Sequence, residues 1–286
     1  MIKSKRTSDK IVFAIVFILF VIYSVFILYF FYYAFNASLI KDGRTFNNDN
    51  VSFRLFDHPN FKNYVLAIQN LNINGNNFIE MTFNSIWFAA GSTVLSVFFT
   101  TVTAYVVCKY KFRLRKFIYS LALVIMMLPV YGSLPATYRL YNNLGMLNSP
   151  LILLSATGGL GFNFFIIYSF FKAISWSYAE AAFVEGANNY DVFFRIMLPM
   201  VLPSVSAIAV MSFVGSWNNY EGPLMYLDQL PTLSSGLWLY ERKIQFEANQ
   251  PVYFAGVIIS LIPVLIIFAV FQNTIMQNVY AGGLKG

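Results

Sequence analysis

Residues 177–199 read SYAEAAFVEGANNYDVFFRIMLP and combine helix boundary signals with apolar side chains. Ser177 and Glu180 have the spacing of a capping box, in which the serine oxygen and the glutamate carboxylate accept hydrogen bonds from the free amides of a new helix. Gly186 stands where a left-handed residue would end that helix or a tight bend would follow it. This half of the segment therefore predicts a short helix that ends in a bend.

A second short helix is predicted directly after the bend. Asn188 or Asn189 can cap its amino end, and Leu198-Pro199 should end it because proline disfavours helical geometry in the residue before it. Four apolar side chains fall at i, i+3, i+4 and i+7 and so share one face; they are Tyr190, Phe193, Phe194 and Met197. A stripe of this kind must be buried against another surface.

Three interpretations of this helix pair compete. Aromatic-rich amphipathic segments commonly lie on lipid headgroups, and docking into a groove on a partner protein uses the same kind of anchors. A DNA-reading helix-turn-helix is excluded because Arg195 is outnumbered by Glu180, Glu185 and Asp191, which make a net negative face that phosphate repels. The pattern alone does not separate the lipid surface from the partner groove.

The composition of the whole chain excludes a soluble globular protein. The 286 residues are 58% apolar and 11% charged, whereas soluble domains average about 45–50% apolar and about 25% charged. Cys108 and His58 are the single cysteine and histidine, so the chain has no internal disulfide and too few ligands for a His/Cys metal site. Basic residues lie between apolar runs rather than in one patch, which argues against nucleic acid.

Six windows are long and apolar enough to cross a membrane. A spanning helix needs about 20 uncharged, mostly apolar residues, and such windows cover residues 11–35, 81–108, 117–135, 150–171, 200–220 and 251–272. The first is too long for the core of a signal peptide and is expected to remain as an anchor helix. The chain is therefore predicted to be an all-α membrane protein with six transmembrane helices.

The positions of the basic residues predict the direction of these helices. With the amino terminus inside, twelve Lys and Arg residues fall on cytoplasmic segments and seven on outer ones. Since basic residues in short loops are retained inside, both termini are predicted to be cytoplasmic. Residues 1–80 then hold the cytoplasmic N-tail, the anchor helix and an extracytoplasmic loop. Residues 81–286 form a core of five helices, with cytoplasmic helices at 177–199 and a cytoplasmic tail at 273–286.

The helix pair resembles the EAA signature of type I ATP-binding-cassette (ABC) importer permeases. Glu180-Ala181-Ala182 is followed after three intervening residues by Gly186, and after nine more intervening residues by Ile196, any residue, Leu198 and Pro199. Other stretches look like carbohydrate-importer permeases of the maltose-transporter class, and the short tail and six spans resemble its second, MalG-like subunit rather than its larger partner. These stretches are Asn84-Ser85, Ala104-Tyr105 and residues 144–148, 213–218 and 281–286.

The resemblance implies that the helix pair docks into a cleft of a separate ATPase subunit. The implied coupling residues are Glu180, Ala181, Ala182, Gly186, Tyr190, Phe193, Phe194, Ile196, Leu198 and Pro199. It also implies a second ATPase contact by the tail residues Gly282, Gly283, Leu284 and Lys285. A frayed terminus explains the same tail equally well.

Polar and aromatic residues near the ends of two windows are candidates for a transport path, because polar groups in hydrocarbon usually face a cavity or another helix. In the fifth window they are Trp217, Asn218, Asn219 and Tyr220; an interfacial aromatic belt gives the same pattern. In the fourth window Asn163 follows the cluster Gly158-Gly159-Leu160-Gly161. We expect this cluster to mark close helix packing rather than an irregular turn beside the path.

The sequence has no phosphate-binding loop of the form G-x-x-x-x-G-K-[S/T]. ATP and Mg²⁺ are therefore expected in partner subunits, and this chain is expected to hold no cofactor, metal or catalytic residue. The resemblance predicts a multi-pass permease subunit of a binding-protein-dependent importer, for a sugar or oligosaccharide, in a bacterial or archaeal plasma membrane.

Its expected partners are a homologous second permease subunit, two cytoplasmic ABC ATPases and an extracytoplasmic substrate-binding protein, with no nucleic acid. One alternative is the same type of permease for a solute other than a sugar. The other is a membrane-embedded enzyme acting on lipid-linked sugars. Such an enzyme needs a constellation of acids, histidines or metal ligands near one interface, whereas the acidic residues here are scattered among loops on both sides.

Overall fold

The computed structural model describes residues 7–41, 43, 46, 59–128, 134–247 and 249–283, and most of these residues are helical. A short antiparallel hairpin pairs β1 (Asn72–Ile73) with β2 (Asn76–Asn77). The helices in chain order are α1 (Thr7–Ser38), α2 (Lys62–Asn70), α3 (Phe78–Lys109), α4 (Arg115–Met127), α5 (Leu134–Asn143), a 3₁₀-helix (Pro150–Gly158), α6 (Phe162–Ala173), α7 (Ser177–Val184), α8 (Asn189–Asp191), a π-helix (Val192–Met197), α9 (Leu198–Asn218), α10 (Glu221–Tyr226), α11 (Leu233–Glu247) and α12 (Gln250–Gly283).

Four helical stretches of the described chain are long and apolar enough to cross a membrane. They are Lys10–Ser38, Phe78–Lys109, Asn189–Asn218 and Gln250–Gln272. A fifth span results if the 3₁₀-helix and α6, which are bent by 58° relative to each other, are counted as one broken crossing. The prediction of a mostly helical chain with several apolar spans is confirmed, with four or five spans identified in this way.

The third predicted window, residues 117–135, is not covered by a single long helix. α4 ends after 13 residues, which rise about 20 Å, short of the ~30 Å hydrocarbon core. Leu128 then has extended backbone geometry, and α5 begins at Leu134 beyond a gap in the described residues. α4 is therefore too short to cross the membrane by itself.

The fourth predicted window, residues 150–171, is broken at its glycine cluster. Gly159 has φ +58°, a left-handed conformation that favours glycine. A Cβ built on Gly159 would also lie 3.3 Å from Oγ1 of Thr103 on α3. Gly159 therefore lets its backbone approach α3, which is the close packing that was expected, and it also makes the irregular turn that was the alternative.

The chain forms two compact units, of which the first comprises residues 1–71 and 239–261. Asn63 on α2 is buried, and its Nδ2 donates to the backbone oxygens of Ser38 (2.8 Å) and Ile40 (2.6 Å). These bonds tie α2 to the carboxyl end of α1. Apolar side chains along α1 are largely exposed, as expected of a helix whose solvent is lipid.

The second unit comprises residues 72–238 and 262–286 and is organised around α3. α3 begins at a capping box, in which Asn77 accepts from the Glu80 amide and Glu80 accepts from the Asn77 amide. It packs against α6, α9 and the 3₁₀-helix. The core near its carboxyl end is filled by Phe164, Ile167 and Phe171 of α6 and by Met197. This core supports residues 177–199.

Candidate functional site

The first helix of the pair, α7, begins without the predicted capping box. The residue before it, Trp176, has helical φ and ψ and makes no side-chain cap, and its carbonyl accepts from the amides of Ala179 (2.9 Å) and Glu180 (3.1 Å). Ser177 already lies inside the helix, so it is not in the extended geometry that an N-cap needs. Its hydroxyl instead pairs with the hydroxyl of Ser175 (2.8 Å).

The bend at Gly186 is confirmed. Gly186 has φ +88°, its amide donates to the Phe183 carbonyl (3.1 Å), and the Ala187 amide donates to the Ala182 carbonyl (2.9 Å). This pair of bonds is a Schellman motif, which satisfies the last carbonyls of a helix. A Cβ built on Gly186 would meet no atom within 4 Å, so glycine is required here by backbone conformation and not by space.

The second helix begins at Asn188, one of the two predicted caps. Asn188 Oδ1 accepts from the amides of Tyr190 (2.8 Å) and Asp191 (3.0 Å), while the Asp191 carboxylate accepts from the Asn188 amide (3.4 Å). Asp191 also forms an exposed ion pair with Arg195 (3.1 Å). The chain therefore turns and restarts as a helix at Asn189, three residues after Gly186.

The predicted end of this helix at Leu198-Pro199 is wrong. A π-helix follows α8, and the Leu198 amide donates to the carbonyl of Phe193, five residues back. Pro199 stands in the first turn of α9, where a missing amide hydrogen is tolerated. The wider π turn places Leu198 in helical geometry before a proline, so helical backbone runs from Asn189 to Asn218.

The π turn also divides the predicted aromatic stripe between two environments. Phe193 and Met197 are buried, whereas Tyr190 is 77% and Phe194 is 49% exposed. The ring of Phe193 lies 4.8 Å from that of Tyr105 on α3, centroid to centroid. The stripe was predicted with α-helical spacing, and an extra residue in one turn rotates its members apart.

Residues of α7 likewise point in two directions. Ala179 and Ala182 are buried in the core of the second unit, and Glu180 and Ala181 are exposed. Val184 is 89% exposed. Of the remaining predicted coupling residues, Ile196 and Leu198 are half-buried, and Gly186 and Pro199 are exposed. The outward face thus presents apolar side chains beside carboxylates.

Two polar contacts attach the helix pair to the end of α3. The Tyr110 hydroxyl donates to Asn189 Oδ1 (3.0 Å), and Lys109 Nζ donates to the carbonyl of Ile174 just before α7 (2.6 Å). The rings of Tyr110 and Trp176 also meet edge to face, 5.9 Å apart. Sequence patterns did not predict these contacts, because they depend on the approach of two distant segments.

The predicted path residues differ in exposure and in the contacts they make. Trp217 is 2% exposed, stacks on Phe213 at 5.9 Å, and accepts a hydrogen bond from Ser234 on its backbone carbonyl. Tyr220 is partly exposed and stacks on Trp238 of α11 at 5.9 Å.

The asparagines among the predicted path residues are exposed or half-buried. Asn218 and Asn219 are exposed, and Asn219 Oδ1 accepts from the Gly222 amide (3.1 Å). Asn163 is half-buried at the start of α6. Trp238 was missed by sequence reasoning because it lies 18 residues beyond Tyr220 in another helix.

The described residues include only part of the predicted tail and do not include the single histidine. Gly282 and Gly283 form the last residues of α12, which continues well beyond its apolar window, while Leu284, Lys285 and His58 lie outside the described residues. Within the described chain, no group of three or more His, Cys, Asp or Glu side chains has the arrangement of a metal site.

These features define an integral membrane protein in which an exposed, bent helix pair links two apolar spans. The chain belongs to the family described as binding-protein-dependent transport system inner membrane component, which it matches over residues 96–277. It is therefore a permease component of an ABC import system and not an enzyme, and ATP hydrolysis belongs to separate subunits. The predicted family and type of function are confirmed.

Relatives of known designation agree with this family. The chain is 31% identical over 237 residues to the diacetylchitobiose uptake system permease protein NgcG of Streptomyces coelicolor, covering 82% of this chain and 77% of that protein. It is 29% identical over 205 residues to the arabinooligosaccharides transport system permease protein AraQ of Halalkalibacterium halodurans, covering 71% and 73%. It is 28% identical over 236 residues to the sulfoquinovosyl glycerol transport system permease protein SmoH of Agrobacterium fabrum, covering 81% and 80%.

The fold is also similar to a solved structure. A chain of a bacterial ABC transporter involved in the import of the acidic polysaccharide alginate superposes with a TM-score of 0.76, covering 94% of this chain and 98% of that chain at 22% identity. The similarity extends over both compact units and supports the assignment of the fold.

Proposed function

We propose that this chain is one permease subunit of a sugar or oligosaccharide importer. The three relatives described above are named for diacetylchitobiose, arabinooligosaccharides and sulfoquinovosyl glycerol. All three solutes carry sugar rings with many hydroxyl groups. The subunit works with a homologous second permease as a heterodimer, with two cytoplasmic ATPases that bind ATP and Mg²⁺, and with an extracytoplasmic binding protein.

Residues 177–199 are the proposed contact with one ATPase. The observation that carries this role is the bent, capped helix pair whose outer face exposes Val184 and Tyr190. A partner cleft with apolar walls would bury these side chains in the helix-in-groove mode, and basic groups at its rim would suit Glu180 and Glu185. The tail residues 282–285 form the second proposed ATPase contact.

The helical backbone makes the docked pair a mechanical element. α7 packs its inner face into the core, and the second helix continues without interruption into the span that ends at Asn218. Movement of the ATPases would therefore displace a membrane span directly. The cycle proceeds because the partners bind the inward-open and outward-open states with different affinities.

The proposed membrane arrangement has six spans, with both termini in the cytoplasm. Four long helices and the broken crossing formed by the 3₁₀-helix and α6 support five of them, and the predicted window 117–135 would supply the sixth. The basic residues that follow α3 support this direction, since Lys109, Lys111 and Arg113 would lie inside.

The proposed solute path runs past Asn163 at the start of α6 and past Asn218 and Asn219 at the outer end of α9. The stacked rings of Tyr220 and Trp238 offer an aromatic surface there, and aromatic rings suit the apolar faces of sugars while amides suit their hydroxyl groups. Trp217 is buried within this chain, so in this conformation it packs behind the residues that line the proposed path and does not line the path itself.

Reconstitution of the complete complex tests the proposal. The chain, its partner permease, the ATPases and the binding protein would be placed in proteoliposomes and supplied with labelled oligosaccharides. We expect ATP hydrolysis to rise with the loaded binding protein and labelled sugar to accumulate inside. Hydrolysis stimulated by a different class of solute would overturn the sugar assignment and leave the importer assignment intact.

A further inference from the structure

Residues 226–233, the loop between α10 and α11 with the helix end on each side, are fastened by side-chain amides. Asn74 Nδ2 donates to the Asp228 carbonyl (2.9 Å), and Asn76 Nδ2 donates to the Gln229 carbonyl (3.0 Å). Both asparagines lie on the hairpin that leads into α3, and Asn74 occupies its turn with φ +52°. Two consecutive carbonyls of the loop are thus held by one hairpin.

A second anchor comes from the turn before the 3₁₀-helix. The Gln229 amide donates to Asn148 Oδ1 (2.8 Å), and the Asn148 amide donates to the Tyr226 carbonyl (2.8 Å). Asn148 has φ +50°, a conformation that asparagine tolerates better than most residues. Leu227 is fully buried against Met146 and close neighbours, so the loop is fixed by packing as well as by hydrogen bonds.

The third anchor is α3 itself. Asn84 Nδ2 donates to the Pro231 carbonyl (3.1 Å), and the Leu233 amide donates to the buried Ser85 hydroxyl (2.7 Å). A Cβ built on Gly236 would collide with the Met81 side chain, so the start of α11 lies directly on α3. The loop is therefore held by three separate segments of the chain: the hairpin, the turn at Asn148 and α3.

The opposite end of α3 carries the coupling segment. Tyr105 packs on Phe193 (4.8 Å) and on Phe171 (5.3 Å), and Tyr110 is bonded to Asn189. α3 has 32 residues and is about 48 Å long. One uninterrupted helix therefore contacts residues 177–199 at one end and the fastened loop at the other.

We propose that Asn74, Asn76 and Asn148 are positioning residues that make residues 226–233 move with α3 as a rigid piece. Displacement of residues 177–199 then reaches the opposite face of the membrane through α3. Coupling of this kind needs a continuous chain of rigid and bonded elements, and the hydrogen bonds described above supply its last link. The inference rests on the proposed function, because it assigns these asparagines a part in transport.

The test compares two substitutions of Asn148 in the complete transporter. Asn148→Gly removes the side chain and permits the positive φ, whereas Asn148→Asp retains the Oδ1 acceptor. Asn143→Ala is the matched control, since Asn143 is exposed at the end of α5, five residues before Asn148. Asn76→Ala removes a different anchor and should act like Asn148→Gly.

Two quantities are measured for each variant: hydrogen exchange of residues 226–233 and the amount of solute transported per ATP hydrolysed. Asn148→Gly should speed exchange at the Gln229 amide about fivefold, as expected for one lost hydrogen bond, and should lower the transport ratio. Asn148→Asp and Asn143→Ala should match the wild type in both quantities.

Faster exchange with an unchanged transport ratio would overturn the transmission role, and unchanged exchange would overturn the fastening itself. Failure of the proposed function has a different signature. In that case the wild-type complex transports no sugar, while exchange in the Asn148 variants still reports whether the loop is fastened.

Discussion

Replacing Gly186 with valine should separate ATP hydrolysis from uptake. Gly186 has φ +88°, and an L-residue in left-handed geometry costs roughly 1–2 kcal/mol. A β-branched residue belongs at the upper end of this range. Because a Cβ would meet no atom within 4 Å, the backbone alone sets the cost. A cost of about 2 kcal/mol lowers the population of the bent conformation relative to its alternatives by roughly 30-fold.

The assay measures ATP hydrolysis and labelled-sugar uptake by the reconstituted complex side by side. We expect uptake to fall by about 10- to 30-fold, while the ATPase subunits continue to hydrolyse ATP. Gly186→Asn is the control, because asparagine visits left-handed geometry far more readily than valine. If the valine variant assembles and its uptake stays within about twofold of the wild type, the bend is not needed for coupling.

Three further predictions concern the outward face, the second helix and the outer aromatics. Val184→Asp places a charge on an exposed apolar side chain, so it should weaken co-purification with the ATPases while changing the thermal midpoint little; unchanged co-purification would contradict the docking role. Asn188→Ala should cost about 1 kcal/mol of stability through loss of the cap, and hydrogen exchange at Tyr190 and Asp191 measures it; no change there would show that the cap is redundant. Trp217→Ala should destabilise the subunit by about 3–5 kcal/mol because the side chain is buried. Tyr220→Ala should instead raise the sugar concentration for half-maximal uptake without loss of stability. If Trp217→Ala changed that concentration and left stability unchanged, Trp217 would belong on the path.

Much of this architecture could be predicted because lipid imposes simple rules on sequence. Long uncharged windows located α1, α3, α9 and α12, since a helix in hydrocarbon must satisfy its own backbone groups. Gly186 and Asn188 were also predictable, because a left-handed cap and a side-chain cap each depend on only a few neighbouring residues.

The incorrect predictions concern places where contacts between distant segments or unusual backbone geometry determine the local structure. Pro199 should end an α-helix, but a π turn and burial of Phe193 against Tyr105 keep the backbone helical. Ser177 has the correct spacing for a capping box, yet the helical geometry of Trp176 moves the start of the helix. The fastening of residues 226–233 was not predicted at all, because asparagines in separate loops carry no local periodic signal.

The length of the broken fourth window determines which bilayer thickness suits this protein. Its nine 3₁₀ residues and twelve α residues have a combined contour of about 36 Å at their respective rises of ~2.0 and ~1.5 Å per residue. If the 58° bend is shared equally by the two halves, they span about 31 Å along the normal, nearly the same as a ~30 Å hydrocarbon layer. A thicker bilayer would favour a straighter elbow, so acyl-chain length should tune the turnover of the transporter.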